Sequence, residues 1–397
     1  MLVAPLEDAW LDAIGRVLAA HKLPALQDTA HLGPLVARLS EAYNTSGTAS
    51  RELLPARLAF SFARDVPKGA GAVRELVAAS KLVMPEGRAL RVLDLGAGLG
   101  ATTWGVARAL AAAGQKGEID ATWVDSDGAA LAMGMELVAA RGETPVKVRA
   151  RTITGHDAPR GGPRADLVLM GQVLSELDRD LAPDARVEAH VTRLQILLQH
   201  RLADDGSLVV IEPALRERTR HLHAVRDRLL APGAGQGQVN VFAPCLHQAA
   251  CPALAAVGDW CHEDLPVDLP PWLVPLARAA GLRWQGLTFS YLVLRKDGAS
   301  LAARGMPFRV ISGSLVTKGK RELFLCGAPP TPGAVPTRLR VQRIDRHRTE
   351  ANQAWDELGR GDLVSFSPLP ELPTEAGKGV GKIGPETRVD VAPAKAY

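Results

Sequence analysis

A chain of 397 residues, 47% hydrophobic and 23% charged, is long enough to bury a sizeable core and to divide into more than one unit. A formal charge of +4 excludes a global field that would draw it onto nucleic acid, so any such contact has to come from local patches. No apolar run reaches bilayer length, and Glu7, Asp8 and Asp12 stand where a leader peptide needs basic or apolar residues; the chain therefore reads as cytoplasmic, without a membrane span.

Residues 1–85 read as a helical region. Trp10, Ile14, Val17 and Leu18 recur at helical spacing, as do Leu54, Leu58 and Phe62. Val73, Leu76 and Val77 resume the pattern after an expected break at Pro67–Gly71. From residue 90, short apolar runs alternate with Ala-rich helical stretches. Strands are expected at RALRVLDLG, DATWVD, VKVRARTI, ADLVLMG and GSLVVIEP, with helices such as ATTWGVARALAAAG and ARVEAHVTRLQILLQHRL between them. That alternation predicts an α/β domain over 86–297, a parallel sheet with crossover helices. After Pro213 come a basic helix, RERTRHLHAVRDRLL, and an irregular Gly/Pro/Cys insertion spanning about 214–265. A last helix and a strand pair are expected within LARAAGLRWQGLTFSYLVLRK. FRVISGSLV, RELFLCG, TRLRVQRI and GDLVSFSP predict a small β-rich appendage over 298–367, and the Gly-, Pro- and Lys-rich tail over 368–397 is expected to be disordered.

The sharpest local motif is VLDLGAGLG, from Val92 to Gly100. A buried strand running into Gly96, Gly98 and Gly100 and then into a helix lets backbone approach a ligand closely, with unpaired helix N–H groups facing it. Through Ala101 the run also satisfies the G-x-G-x-x-A dinucleotide fingerprint, so the glycines alone leave NAD open. Asp94, two residues before Gly96, suits a cationic sulfonium ligand better than a pyrophosphate. Asp125 ends the next strand, placed to accept from both ribose hydroxyls, and Asp157 follows the third, where an acid commonly receives an adenine amino group. DLVLMGQVLSELD and LADDGSLVVIEP resemble the fourth and fifth strands of class I methyltransferases. The core thus reads as a class I, Rossmann-like S-adenosylmethionine (SAM) domain, with Asp94, Gly96, Gly98, Gly100, Asp125 and Asp157 as its cofactor-binding residues.

A transfer site is harder to find. The Asn/Asp-Pro-Pro-aromatic motif of amino-directed nucleic-acid methyltransferases is replaced by Met170-Gly-Gln-Val-Leu-Ser175. Pyrimidine-C5 chemistry needs a nucleophilic cysteine near the same strand ends, and every cysteine lies beyond residue 244. Gln172, Ser175 and Glu176 are polar and close by, but they fit a helix start and its cap, so the catalytic residue stays unassigned.

Four cysteines, Cys245, Cys251, Cys261 and Cys326, are separated by gaps of five, nine and sixty-four residues. In a reducing compartment disulfides are not expected, and three thiols within seventeen residues point to a metal site. The spacing is looser than a zinc knuckle and lacks the radical-SAM triplet, which leaves zinc and an iron–sulfur cluster both open. His247 and His262 are possible substitute ligands.

Taken together, RELLPARLAFSFARDVPKGAGAVREL, LDLGAGLGATTW, GQVLSEL, APCLHQAACP, DWCH, FSYLVLRK and RVISGSLVTKGKRELFLCG resemble the methyltransferase-like family associated with the mitochondrial small ribosomal subunit, which has bacterial members. The resemblance covers Arg51 to Cys326, and its most specific element is APCxH…CP followed by DWCH. It implies a 4Fe–4S cluster on Cys245, Cys251, Cys261 and Cys326, with zinc as the alternative. It also implies a role in assembly or translation on the small ribosomal subunit and leaves methyl transfer unassigned. The chain departs from the family after Gly327.

An rRNA partner is compatible with two basic stretches: Arg216, Arg218, Arg220, Arg226 and Arg228 on one helix, and ten Lys or Arg against three acids over 301–350. The alternatives are an active SAM-dependent rRNA methyltransferase and a small-molecule methyltransferase with structural zinc. No DNA partner is expected.

Overall fold

The structure is a computed structural model that describes residues 3–45, 51–157, 161–231, 239–372 and 379–392. Its helices are α1 (Asp8–Ala20), α2 (Thr29–Thr45), the short α3 (Leu54–Ala56), α4 (Phe62–Ala78), α5 (Ala101–Ala112), α6 (Gly128–Arg141), α7 (Pro183–Ile196), α8 (Arg216–Leu230) and α9 (Val274–Ala279). A π-helical turn, Arg57–Ser61, joins α3 to α4. No helix among the described residues is long and apolar enough to cross a membrane.

The first sheet contains β1 (Leu90–Leu95), β2 (Gly117–Asp125), β3 (Val146–Thr154), β4 (Ala165–Gly171), β5 (Leu202–Glu212), β6 (Asn240–Ala243), β7 (Glu263–Leu265) and β8 (Leu287–Arg295). Their order is β3-β2-β1-β4-β5-β8-β6, with β7 paired to β8. β1 to β5 run parallel, and β6 is antiparallel to β8. Five parallel strands followed by an antiparallel β8–β6 pair, with the Gly-rich turn after the central strand β1, make the class I methyltransferase architecture expected from the sequence. The central strands read apolar almost throughout because both of their faces are buried: in β1 only Arg91 is exposed, whereas the edge strand β3 exposes Lys147, Arg149 and Arg151.

The chain divides into two units, Met1–Pro213 with Leu265–Phe289, and Ala214–Asp264 with Ser290–Ala396. This partition differs from the expected one. The N-terminal helices share a unit with the parallel strands because they bury their apolar faces there. Trp10 of α1 meets Trp104 of α5 edge-on at 4.8 Å and Phe62 of α4 at 5.2 Å. Nor does the chain break at Pro67–Gly71: α4 runs through them, and the glycines serve contact instead. A Cβ at Gly69 would lie 2.8 Å from the Thr102 carbonyl oxygen, and one at Gly105 would collide with the Val66 carbonyl oxygen and lie 2.7 Å from the Ala70 nitrogen. Two helices cross here backbone to backbone.

The second unit holds α8, β6 and most of β8, together with a sheet of β9 (Phe308–Val310), β10 (Leu315–Thr317), β11 (Lys320–Gly327), β12 (Thr337–Ile344), β13 (Leu363–Ser367), β14 (Gly381–Ile383) and β15 (Arg388–Ala392). The order is β14-β12-β11-β9-β13-β15, with β10 paired to β11. One face of this sheet buries Phe308, Val310, Leu323, Leu325, Leu339, Val341 and Trp355. The tail expected to be disordered from 368 supplies β14 and β15. Ile383 and Val389 alternate into the same core, and that burial outweighs the local Gly/Pro composition. Residues 373–378 and 393–397 of that tail lie outside the described residues. The expected strand pair within LARAAGLRWQGLTFSYLVLRK is the single β8, because Gly286 turns there, its N–H donating to Asp268 Oδ1 at 3.1 Å.

Gly105→Ala is expected to destabilise the protein by about 1–3 kcal/mol, since backbone atoms cannot yield to the new methyl. Gly15→Ala on α1, where a Cβ meets nothing within 4 Å, should stabilise by about 0.5–1 kcal/mol. Urea denaturation of the two variants checks both signs.

Candidate functional site

The glycine loop joins β1 to α5. Gly96, Gly98 and Gly100 have φ of 66°, 51° and 79°, a region that side chains with a Cβ rarely adopt. Gly96 and Gly100 are also tight for packing reasons, because a Cβ would collide with Val173 at the first and with Trp123 at the second. Beneath the loop runs a buried chain of hydrogen bonds: Trp123 Nε1 donates to Thr103 Oγ1 at 3.0 Å, and the Thr103 hydroxyl donates to Asp94 Oδ2 at 2.7 Å. Asp94 Oδ1 is buried with no partner. Burial pushes this carboxyl up to about 7, against the lowering effect of the Thr103 hydrogen bond.

Asp125 closes the other side of the loop. Its Oδ2 accepts from Gly98 N at 2.8 Å and its Oδ1 from Asp127 N at 2.8 Å. Asp127 caps α6, accepting from Ala129 N at 3.1 Å and Ala130 N at 3.0 Å. Asp157 lies beyond β3, exposed and ion-paired with Arg193 of α7. The structure thus brings Asp94, Asp125 and the three glycines together around one turn, while Asp157 stands on its own with Arg193. Arg57, which sequence reasoning left within a helical lead-in, joins the group: its Nη1 donates to Asp127 Oδ2 at 2.5 Å. No local pattern marks it, since its partner is seventy residues away.

At the carboxyl end of β4 the chain turns and does not start a helix. Gln172 has φ of 62°, and its N–H donates to the Ile211 carbonyl at 2.6 Å. Glu212 accepts from Leu174 N at 2.9 Å and Ser175 N at 3.2 Å, so it anchors the turn. The Ser175 hydroxyl is buried without a partner. Lys68 of α4 is buried with its amine 2.7 Å from Asp65, and burial lowers its pKa. Neither Lys68 nor Glu212 was legible as a site residue in the sequence, because neither belongs to a motif of its own.

The four cysteines, far apart in sequence, line one cavity of the second unit together with His223, His247, His262, Arg309, Arg338 and Arg360. Strand alternation explains Cys326. Leu323 and Leu325 of β11 face the apolar core, so Cys326 faces the other way, opposite Arg338 on β12 and Arg309 on β9. The loop carrying Cys245, Cys251 and Cys261 is laced to α8 by arginines. Arg220 donates to the carbonyls of Ala253, Ala256 and Asp259 at 3.0, 2.7 and 2.7 Å. Arg226, only 1% exposed, donates to those of His247 and Ala249 at 2.8 Å each. Cys251 N donates to Asp227 Oδ2 at 2.8 Å.

Burial, reinforced by the neighbouring thiols, pushes Cys251 up to about 12 and Cys261 up to about 11, and raises Cys326 as well. His223, His247 and His262 are lowered to about 4 by burial and by adjacent arginines. One ring nitrogen of each, Nε2 of His223 and His247 and Nδ1 of His262, is buried without a partner. No group of three or more His, Cys, Asp or Glu among the described residues converges as a single-ion site.

The basic stretches are largely occupied within the second unit. Arg338 pairs with Asp259, Arg340 with Glu322 at 2.6 Å, and Arg321, Arg343 and Arg348 all reach Asp356. Lys318 and Arg346 are exposed and have no acid partner among the described residues.

Residues 57–336 match the family model described as mitochondrial small ribosomal subunit Rsm22. No curated protein has a significantly similar sequence. Among solved structures, the plantazolicin methyltransferase BpumL in complex with a monoazolic desmethylPZN analog and SAH is 11% identical, with a TM-score of 0.34 over 68% of this chain and 100% of that one. The mitomycin 7-O-methyltransferase MmcR is 18% identical, with a TM-score of 0.30 over 72% and 74% of the two chains. A SAM-dependent methyltransferase from Agrobacterium tumefaciens is 15% identical, with a TM-score of 0.32 over 57% and 63%. At such scores the fold assignment rests on strand order and on the glycine loop.

Asp94 supplies a pH test. Between its ordinary 3.8 and about 7, the unfolded chain releases the proton that the folded chain keeps, so stability falls across that window and levels off above it. Asp94→Asn removes this titration. The unfolding free energy of wild type minus that of the variant should therefore drop between pH 4 and pH 7 and stay flat above; a pH-independent difference would mean that the carboxyl is not desolvated.

Proposed function

This chain belongs to the Rsm22 family, and from that membership and the two sites we propose a SAM-binding, 4Fe–4S protein that acts on the small ribosomal subunit through rRNA. The observation that carries the reading is the shared cavity: one loop and one distant strand contribute four thiols to a single space.

In this reading the occupant is a cluster, with zinc as the alternative, as the family resemblance implies. A cubane with four thiolates carries net negative charge, and the space is lined by Arg309, Arg338 and Arg360 against the single acid Glu263, although Arg309 is paired with Glu263 and Arg338 with Asp259. The unpartnered imidazole nitrogens fit a space whose polar groups an occupant completes. Cys245, Cys251, Cys261 and Cys326 would hold the cluster, which when bound supplies covalent cross-links between the loop and β11. Its role in this reading is structural.

The glycine loop fits SAM on similar grounds. Asp94 Oδ1 is an acceptor without a partner, and Asp125, held against Gly98 N, would receive a ribose diol. SAM supplies an electrophilic methyl group when bound. Asp94, Asp125 and the loop amides do the binding and orienting. RNA contact falls to exposed cations such as Lys318 and Arg346, because most arginines of the appendage are already paired. A second reading, methyl transfer to rRNA, is favoured by the buried Lys68 amine beside Asp65 and by the unpartnered Ser175 hydroxyl.

Anaerobically purified protein should contain iron and acid-labile sulfide near four each per chain, as a cubane requires, with little zinc. Zinc without sulfide would overturn the cluster reading. The protein should co-sediment with small subunits or their precursors, and rRNA methylation should be unchanged by deleting the gene; loss of a specific methyl mark would establish the second reading.

A further inference from the structure

The three glycines of the loop differ in what their missing side chains face. Gly96 and Gly100 face scaffold, Val173 and Trp123. Gly98 does not. The atoms within 4 Å of a Cβ there are Arg57 Nη2 at 2.9 Å and Asp125 Oδ2 at 3.8 Å, the far ends of two charged side chains. A side chain at Gly98 would therefore meet a cation first and an anion just beyond it.

Arg57 reaches this position from the helical lead-in, where it begins the π-helical turn Arg57–Ser61. Such single wide turns re-aim side chains and concentrate at functional sites. The guanidinium is mostly buried, 16% exposed, and its fork is divided: Nη1 donates to Asp127 Oδ2 at 2.5 Å while Nη2 faces Gly98. Asp127 itself is split in the same way. Its Oδ1 caps α6 through Ala129 N and Ala130 N, so Oδ2 can be given up without losing the cap.

A guanidinium fork matches a carboxylate, taking both oxygens at once. In SAM the sulfonium and the ammonium are cations, the adenosine is neutral, and the amino-acid carboxylate is the one anion. Asp94 and Asp125 complement the cationic and hydroxyl-bearing parts. Arg57, a cation set against the loop, complements the anion. We propose that Arg57 is the receptor for the cofactor's carboxylate, and that binding exchanges the Arg57–Asp127 ion pair for an Arg57–cofactor pair. The proposal rests on the SAM reading above. It assigns a binding role to the lead-in, outside the glycine motif, and makes the π turn the place where cofactor occupancy reaches the N-terminal helices.

The test is calorimetric binding of SAM and of decarboxylated SAM, which differ only in the carboxylate, to wild type, Arg57→Gln and Asp127→Asn. Far-ultraviolet circular dichroism and melting curves establish that each variant is folded. Wild type should prefer SAM by roughly tenfold to a hundredfold, the worth of a charge-assisted pair. Arg57→Gln should bind both ligands alike, near the wild-type affinity for the decarboxylated one. Asp127→Asn keeps an oxygen for the cap and removes the competitor, so it should tighten SAM and leave decarboxylated SAM unchanged. Preference for SAM persisting in Arg57→Gln, or equal weakening of both ligands, would overturn the role of Arg57 while leaving SAM binding intact. If folded wild type binds neither ligand, the SAM reading itself fails, and this inference with it.

Discussion

The hydrogen-bond chain from Trp123 through Thr103 to Asp94 fixes the geometry on which the nucleotide loop depends. It ties β2, α5 and β1 together at the level where the chain turns over them, and every member is buried. Trp123 presses its ring beneath Gly100, Thr103 sits in the first turn of α5, and Asp94 is the penultimate residue of β1. A carboxyl in such a place is costly unless bonded. Here one oxygen is bonded and the other is not, so the site holds an acceptor in reserve within an otherwise apolar floor. The close crossing of α4 and α5 belongs to the same constraint: α5 has to lie low over the strands, and only Gly69 and Gly105 let α4 follow it down.

The second unit solves a different problem, that of gathering four thiols into one space. Desolvation raises the pKa of Cys251, Cys261 and Cys326, while the cations around them are kept in place by carbonyls and carboxylates of their own neighbourhood. Arg220 and Arg226 act as rungs between α8 and the cysteine loop, which has little regular structure to define it otherwise. That use of guanidinium groups as carbonyl ligands accounts for an arginine-rich helix that lies half against protein.

Much of this organisation was legible in the sequence, and what was not has physical reasons. The five parallel strands and α5, α7 and α8 could be placed because apolar runs and helical stretches keep one period each, and α8 agrees with its expected limits residue for residue. The cysteines could be grouped because thiols are scarce in the chain. The passage of α4 through Pro67 could not be foreseen, because Gly69 and Gly71 read as breakers until their neighbours are known. β14 and β15 were hidden by their composition, since their burial is conferred by strands far earlier in the chain. Arg57, Lys68 and Glu212 were hidden for the converse reason: a single charged residue in a helix or at a strand end carries no pattern. Basic stretches proved the least informative, because a sequence counts arginines without showing which carboxylate each one meets.

The division of the chain at Pro213, Asp264 and Phe289 has a consequence for how the molecule can be inherited and rearranged. Neither unit is one continuous stretch. The chain leaves the first, completes part of the second, returns for α9 and the start of β8, and leaves again. No single cut separates them, so gene fission, fusion or domain shuffling at one breakpoint would leave both halves incomplete. The final stretch of the first unit also has to wait for fifty-odd intervening residues to be synthesised, which places long-range contacts in both units and favours slow, mutually dependent folding. A chain threaded in this way is acquired or lost as a whole.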